Sequence, residues 1–535
     1  MSSNDPGQPE YLGADRPSAP EGSAAAGSGR RTGVIVAAAV AVVAAVGGGA
    51  YGVGQLMSGG ESAASAVPAD AIAYASVDLD PSAAQKLEAV KIFRKFPGLR
   101  SELKISSRDD LRKTAVDQLV KESGCRGVDF DTDVKPWIGN RLAVAAVPGG
   151  DSGVLPLLVL QVTDEDKARQ GVRTFERCDS SGDAVGVAFV GDYMLLSEKK
   201  SQVDAMAKEA ESAALADDAD YTTWMDRAGD PGIVTMYASK DAPAAIIKQQ
   251  ADDRADAEGE DQQISPGESK QLETAFRDFE GAAGVVRFKG GAVEAEFSTK
   301  GLYQGVGADS ATGPDVTTLP GTTAAVLSVA FKDGWLERYL DTVEDLPGGS
   351  SMDGMMSQGE TMLGLRLPED IETLLGDGFS LSVDSTADLE AIDESPDPAE
   401  IPAGIRIKGD AAAITAIIEK LKAAAGPQAD LVQVRSKDGI VAVGTDKDYV
   451  ASLLEKGDLG DTDAFTKVVP EPGRANGVFF VSFDAGDGWA ERLADLLSDG
   501  DPDVKENVKP LDALGTSSWQ DEAGVQHSLV RLTTD

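Results

Sequence analysis

Residues 67–79 read VPADAIAYASVDL, and residues 319–331 read LPGTTAAVLSVAF. Both carry proline second, at Pro68 and Pro320, and a Ser-Val pair at the same spacing, at Ser76-Val77 and Ser328-Val329. Further matches follow in the same order along the chain. FDTDVKPWIG from Phe130 pairs with LPEDIETLLG from Leu367, aligning Val134 with Ile371, Trp137 with Leu374 and Gly139 with Gly376. LPLLVLQVTD from Leu155 pairs with IPAGIRIKGD from Ile401, sharing Pro156 with Pro402 and Asp164 with Asp410. Val203 and Met206 then match Val450 and Leu453, and Gly232-Ile233-Val234 matches Gly477-Val478-Phe479. Each pairing alone is weak, because short apolar strands resemble one another, but five in collinear order, offset by 237 to 252 residues, point to two copies of one module. Units this long exceed solenoid repeats, so each is expected to be a domain with its own core, at 67–300 and 319–535. The polar, Gly-rich stretch 301–318 reads as the linker between them.

Periodicity within each copy predicts an α+β module with a largely antiparallel sheet. Strand 155–162, helix 164–176, hairpin 185–190 with 193–197, helix 199–211 and strand 232–238 give the order βαββαβ, a ferredoxin-like portion. The second copy repeats it at 401–408, 410–425, 431–436, 439–444, 446–455 and 477–483, with Gly426 stopping the Ala-rich helix. Strands near 71–79, 140–147, 283–289 and 293–299 are expected to extend the sheet. The acidic stretches 249–270 and 384–400 have no counterpart in the other copy and read as mobile loops.

Ahead of the modules, Thr32 to Gly60 contains no charged residue, and residues 32–57 are long enough for a transmembrane helix. Arg30 and Arg31 precede it and Glu61 is the first charge after it, so the N-terminus is expected in the cytoplasm and the rest outside the cell. A cleaved signal peptide is the rival, with Ala63, Ala64 and Ala66 as small residues near a cleavage point; the apolar run exceeds the usual length of such peptides. Small residues at Gly33, Ala37, Ala41, Ala45 and Gly49 would allow close approach of a second copy, a homodimer through this helix. Residues 1–31 read as a disordered tail, and 58–66, SGGESAASA, as a flexible linker.

The chain holds 90 acidic against 49 basic residues, a net charge of −41. Such a surface repels phosphate backbones, which disfavours nucleic acid as a partner. The single histidine, His527, rules out multi-histidine zinc sites within one chain. Gly150-Asp151-Ser152-Gly153 matches the nucleophile turn of trypsin-like proteases, but it lies between two expected strands and reads as a hairpin turn. Ser197 to Lys200 and Ser101 to Lys104 share the SxxK spacing of penicillin-recognising enzymes without their companion motifs. Asp129, Asp131 and Asp133 alternate as in a calcium loop, yet Val134 and Asn140 stand where glycine and the bidentate glutamate belong, so they read as acids at a helix N-terminus. No phosphate loop or dinucleotide fingerprint occurs. No catalytic, metal-binding or cofactor-binding residue is assigned, and no cofactor is expected. Cys125 and Cys178, both beyond the anchor, form a candidate disulfide.

The Pro-Ala-Asp opening at Val67, the Trp137-Ile138-Gly139 element followed by a strand, and the anchor-plus-ectodomain layout resemble the domain-of-unknown-function family numbered 3352, over residues 60–535. The resemblance implies an exported envelope protein of an actinobacterium and carries over no catalytic residue. The expected role is a non-enzymatic, membrane-anchored extracellular module that binds a protein, polymer or lipid ligand. A carboxylate-dependent hydrolase of envelope glycans or peptides is the alternative from another class. A large apolar cavity would favour lipid carriage.

Overall fold

The computed structural model describes residues 62–79, 82–96, 112–113, 128–149, 153–176, 185–248, 274, 276–302, 315–344, 350–387, 401–486, 489 and 507–535. In chain order these hold β1 (Ala73–Asp78), α1 (Ala83–Phe93), β2 (Ile138–Pro148), β3 (Val154–Val162), α2 (Glu165–Glu176), β4 (Gly186–Val190), β5 (Tyr193–Ser197), α3 (Lys200–Ser212), α4 (Ala219–Arg227), β6 (Val234–Ser239), β7 (Gly281–Lys289) and β8 (Ala292–Lys300). The second half follows with β9 (Thr323–Ala330), α5 (Trp335–Glu344), α6 (Ser350–Leu363), α7 (Glu369–Leu375), β10 (Gly378–Asp384), β11 (Ala403–Lys408) and α8 (Ala411–Ala425). It ends with β12 (Gln433–Lys437), β13 (Ile440–Gly444), α9 (Lys447–Ser452), α10 (Asp463–Val468), β14 (Gly477–Ser482), β15 (Leu511–Gln520) and β16 (Gln526–Thr534).

All sixteen strands lie in one sheet, in the order β12-β13-β11-β10-β9-β14-β15-β16-β8-β7-β6-β1-β2-β3-β5-β4. Read inward from either edge, the two halves list corresponding strands in the same order. They meet where β8 pairs with β16, from Ala292↔Thr533 to Thr299↔Gln526. The expected pair of separate sheets is thus one continuous sheet: each half ends in a strand with an open edge, and the two edges satisfy each other's backbone groups. The ferredoxin-like expectation also needs correction. The order βαββαβ is present along the chain, but β6 does not lie beside β3; β2 and β1 stand between them.

The sheet is covered by helices on both faces. On the front, α3 and α4 bury Val203, Met206, Tyr221 and Trp224 against Tyr74, Leu157 and Val285. In the second half, α9 and α10 bury Tyr449, Leu453, Phe465 and Val468 against Val326 and Phe480. On the back, α2 packs Ala168 and Val172 around Trp137 and Met194, while α8 packs Ile414 and Ile418 beside Leu374 and Val441. Trp137 and Leu374 therefore sit against the corresponding helix and strand of their halves. Asp164 and Asp410 both cap a helix: Asp164 Oδ1 accepts from the Lys167 amide, and Asp410 Oδ1 from those of Ala412 and Ala413.

One row of register partners crosses every strand on the back face. It runs Phe189, Met194, Leu160, Leu142, Val77, Val234, Val286, Ala295, Val530, Thr516, Phe479, Leu327, Leu381, Ile405, Val443, Val434. Only Thr516 is polar, which is the pattern of a sheet face built for cover. The β7–β8 hairpin turns on Gly290 and Gly291, with φ of +61° and +78°, the left-handed pair a two-residue turn of this type requires.

The stretch 58–66, expected as a flexible linker, is corrected where it is described. Ala63–Ala66 form a 3-10 turn, and Ala63, Ala64 and Ala66 are core residues. Alanine carries no signal of burial in a composition count, but its small side chain fits a close approach to the sheet. Val316, within the expected linker 301–318, is likewise buried in the second core. The segment 32–57, the tail 1–31, Cys125, Cys178, residues 249–270 and most of 384–400 lie outside the described residues. Among the described residues no helix is long and apolar enough to cross a membrane.

Candidate functional site: an apolar groove across the junction

Among the described residues the back face is left open near the middle of the sheet, over β8, β16, β15, β14 and β9, where a groove of about 480 Å³ is found. Side chains explain its shape. Gly477, Ser518 and Ser528 are register partners in adjacent strands and form a low floor. Phe297, the partner of Ser528, rises beside them, and a Cβ at Gly284 would stand 2.6 Å from the Phe297 ring, so the missing side chain at 284 makes room for it. Leu327 and Phe479 form the other wall. The apolar row continues from them to Leu381 and Ile405. These five large side chains are between 37% and 43% exposed.

Sixteen residues line the groove and none is Asp, Glu, Lys or Arg. In a chain that is 26% charged, about four would be expected. Contiguous exposed apolar surface of this kind marks an interaction site, whereas single exposed leucines do not.

His527 and Trp519, which also border the groove, lie with Ser298 on the front side of the same strands. His527 Nδ1 is 2.9 Å from Ser298 Oγ, and Nε2 is 3.4 Å from Asp521 Oδ2. The constellation resembles a Ser-His-Asp triad, but Ser298 is fully buried and its hydroxyl donates to the Arg227 carbonyl at 2.7 Å. With its proton committed to that carbonyl, the serine is not activated for attack. The histidine ring stacks on Trp519 at 5.2 Å, and Arg474 lies 4.1 Å from the Trp519 ring. Burial works against ionisation of Asp521, but the Val525 amide and His527 hold its carboxyl below the usual range. Sequence reading gave His527 no partner, because Ser298 is 229 residues away and meets it only through the β8–β16 pairing.

The other motifs resolve as structure where they are described; Ser101 to Lys104 lie outside the described residues. Asp129 accepts from the Thr132 amide, Asp133 from the Asp129 amide, and Asp131 pairs with Lys113 and Lys135, so the three carboxylates order one turn. β2 and β3 pair from Pro148↔Val154; Gly150, Asp151 and Ser152 lie outside the described residues. Ser197 is buried and donates to the Pro156 carbonyl. Among the described residues no group of three or more His, Cys, Asp or Glu could hold a metal ion. The buried carboxylates are partnered: Glu294 by Arg287, Asp370 by Arg366, Asp384 by Thr322 and Thr386, and Asp512 by Lys467 and Thr533.

No curated protein and no solved structure matches the chain. Residues 35–275, from within the apolar N-terminal segment through the sixth strand, match the family described as protein of unknown function, DUF3352.

Proposed function

We propose that the chain is a non-enzymatic binding protein of the cell envelope, tethered by residues 32–57, that seats a fatty acyl chain in the back-face groove. The observation that carries this reading is the uncharged lining, with Phe297, Leu327 and Phe479 half-exposed, on a chain of net charge −41. The strip from Phe479 to Ile405 spans four adjacent strands, about 14 Å at the usual strand spacing, a shape suited to an extended chain. The volume lies within the ~300–1,000 Å³ of typical ligand pockets. The tether rests on the uncharged run at 32–57, which also offers a surface for a second copy through its small residues.

We infer too that the halves arose by duplication of one unit. Support comes from the matching strand order, from Trp137 and Leu374 against corresponding helices, and from the paired caps at Asp164 and Asp410.

A fluorescent fatty acid titrated into the full-length chain tests the groove. Binding should be saturable and should weaken about tenfold or more in Leu327→Asp, because a desolvated carboxylate would then face the acyl chain. Leu87→Asp, at an exposed position of α1, should leave it unchanged. Equal affinity in wild type and Leu327→Asp would remove the groove as the seat.

A further inference from the structure

Two rungs on the front face distinguish the halves. In the first half, register partners across β3, β5 and β4 are Val159, Leu195 and Ala188, followed by Gln161, Tyr193 and Val190. The corresponding partners across β11, β13 and β12 are Arg406, Ala442 and Arg435, followed by Lys408, Ile440 and Lys437. Four positions without charge in one half are thus cationic in the other, in a chain of net charge −41. Cover differs as well. The thirteen-residue α3 lies over β4 and β5, whereas α9 has six residues, and Arg435 and Lys437 are exposed.

Arg406 is the centre of this group. It is 6% exposed, and its Nε and Nη1 are buried without a hydrogen-bond partner. Its neighbour across β10 is Ser380, whose hydroxyl donates to Ser328 at 2.9 Å. Asp315 acts on the guanidinium through space, and Lys437 is paired with Glu455 at 3.0 Å. A buried guanidinium lacking a hydrogen-bonded anion is far costlier than a paired one, and the first half shows that valine serves the fold at this position. Burial pulls the Arg406 pKa below the usual guanidinium value, with Asp315 opposing.

We propose that the Arg406 guanidinium, backed by Arg435, Lys408 and Lys437, is a binding site for an oxyanion, a phosphate or carboxylate group of a small ligand. Each of the two unpartnered nitrogens carries a proton for a charge-assisted hydrogen bond to an oxygen of such a group. Exposed Arg435, two strands away at about 10 Å, would attract the ligand from solution.

Thermal melting of the full-length chain, titrated with inorganic phosphate and separately with acetate against chloride of equal ionic strength, tests the site. Wild type should gain stability with phosphate, acetate or both, and which of them acts identifies the group recognised. Arg406→Val should lose that gain while melting no lower than wild type without ligand. If Arg406→Val does not fold, Arg406→Lys replaces it and should weaken the anion response about tenfold or more, because the shorter-reaching ammonium lacks the guanidinium's fixed Nε and Nη1 donors. The proposal is overturned if neither anion stabilises wild type beyond chloride, or if the variant responds as wild type does.

Discussion

Asp370 illustrates how one carboxylate is fixed by its surroundings. It is buried in the first turn of α7, where Oδ2 accepts from the Arg366 amide and Oδ1 from the Arg366 guanidinium, each at 2.9 Å. The backbone hydrogen bond from Arg366 leads in lowering its pKa below 3.8, with burial opposing and the Arg366 side chain and Lys420 assisting. Because the folded pKa is depressed, the stabilisation is fully present above the unfolded value and is lost as pH falls through the folded one. Wild type should therefore exceed Asp370→Asn in urea stability at pH 6, and the gap should narrow as pH falls below 3.8. A gap that stays constant down to pH 2, measured on both proteins in parallel, would mean that the ionised form is not the one stabilised.

At the scale of elements, caps and close contacts carry the local fold. Asp410 caps the fifteen-residue α8 through two amides, so Asp410→Ala should cost about 1 kcal/mol in chemical denaturation. The acids and turns that set such elements are local, and they were legible. β3 (Val154–Val162) and α8 (Ala411–Ala425) lie within two residues of their expected spans, and Asp164 and Asp410 stand at helix starts. What was not legible needed partners far along the chain. The Ala63–Ala66 turn is buried only because the sheet lies beneath it, and α4, at nine residues, carries too few apolar positions to stand out. The groove was invisible for the same reason: Phe297 and Phe479 look like ordinary strand residues until β8 and β14 are set on one face, separated by β16 and β15.

For the whole molecule, the halves are joined by charge as well as by backbone. Glu294 on β8 lies 2.5 Å from Arg287 Nη2, while Arg531 Nε on β16 makes a 3.2 Å ionic contact with its other oxygen. Arg287 also pairs with Glu296 and donates to the Asp230 carbonyl at 3.0 Å. Removing the shared carboxylate leaves Arg287 with Glu296 alone and takes the ionic contact from Arg531, so Glu294→Ala should destabilise by about 1–3 kcal/mol. Calorimetry should show one unfolding transition, shifted as a unit by this substitution; two transitions of which only one moves would show that the halves unfold independently.

The β8–β16 pairing also sets an order of events during synthesis. β16 is last of the sixteen strands in chain order, yet it occupies the middle of the sheet. While a ribosome is still making the chain, β8 has no neighbour on that side, and it must wait through the 225 residues between Lys300 and Gln526. Contacts so distant along the chain form slowly. Throughout that interval β8 presents a row of unpaired amides and carbonyls, a surface prone to wrong pairing. A chain cut short before β16 would keep that edge, and gain a second at β15, making truncated products candidates for aggregation rather than stable half-molecules.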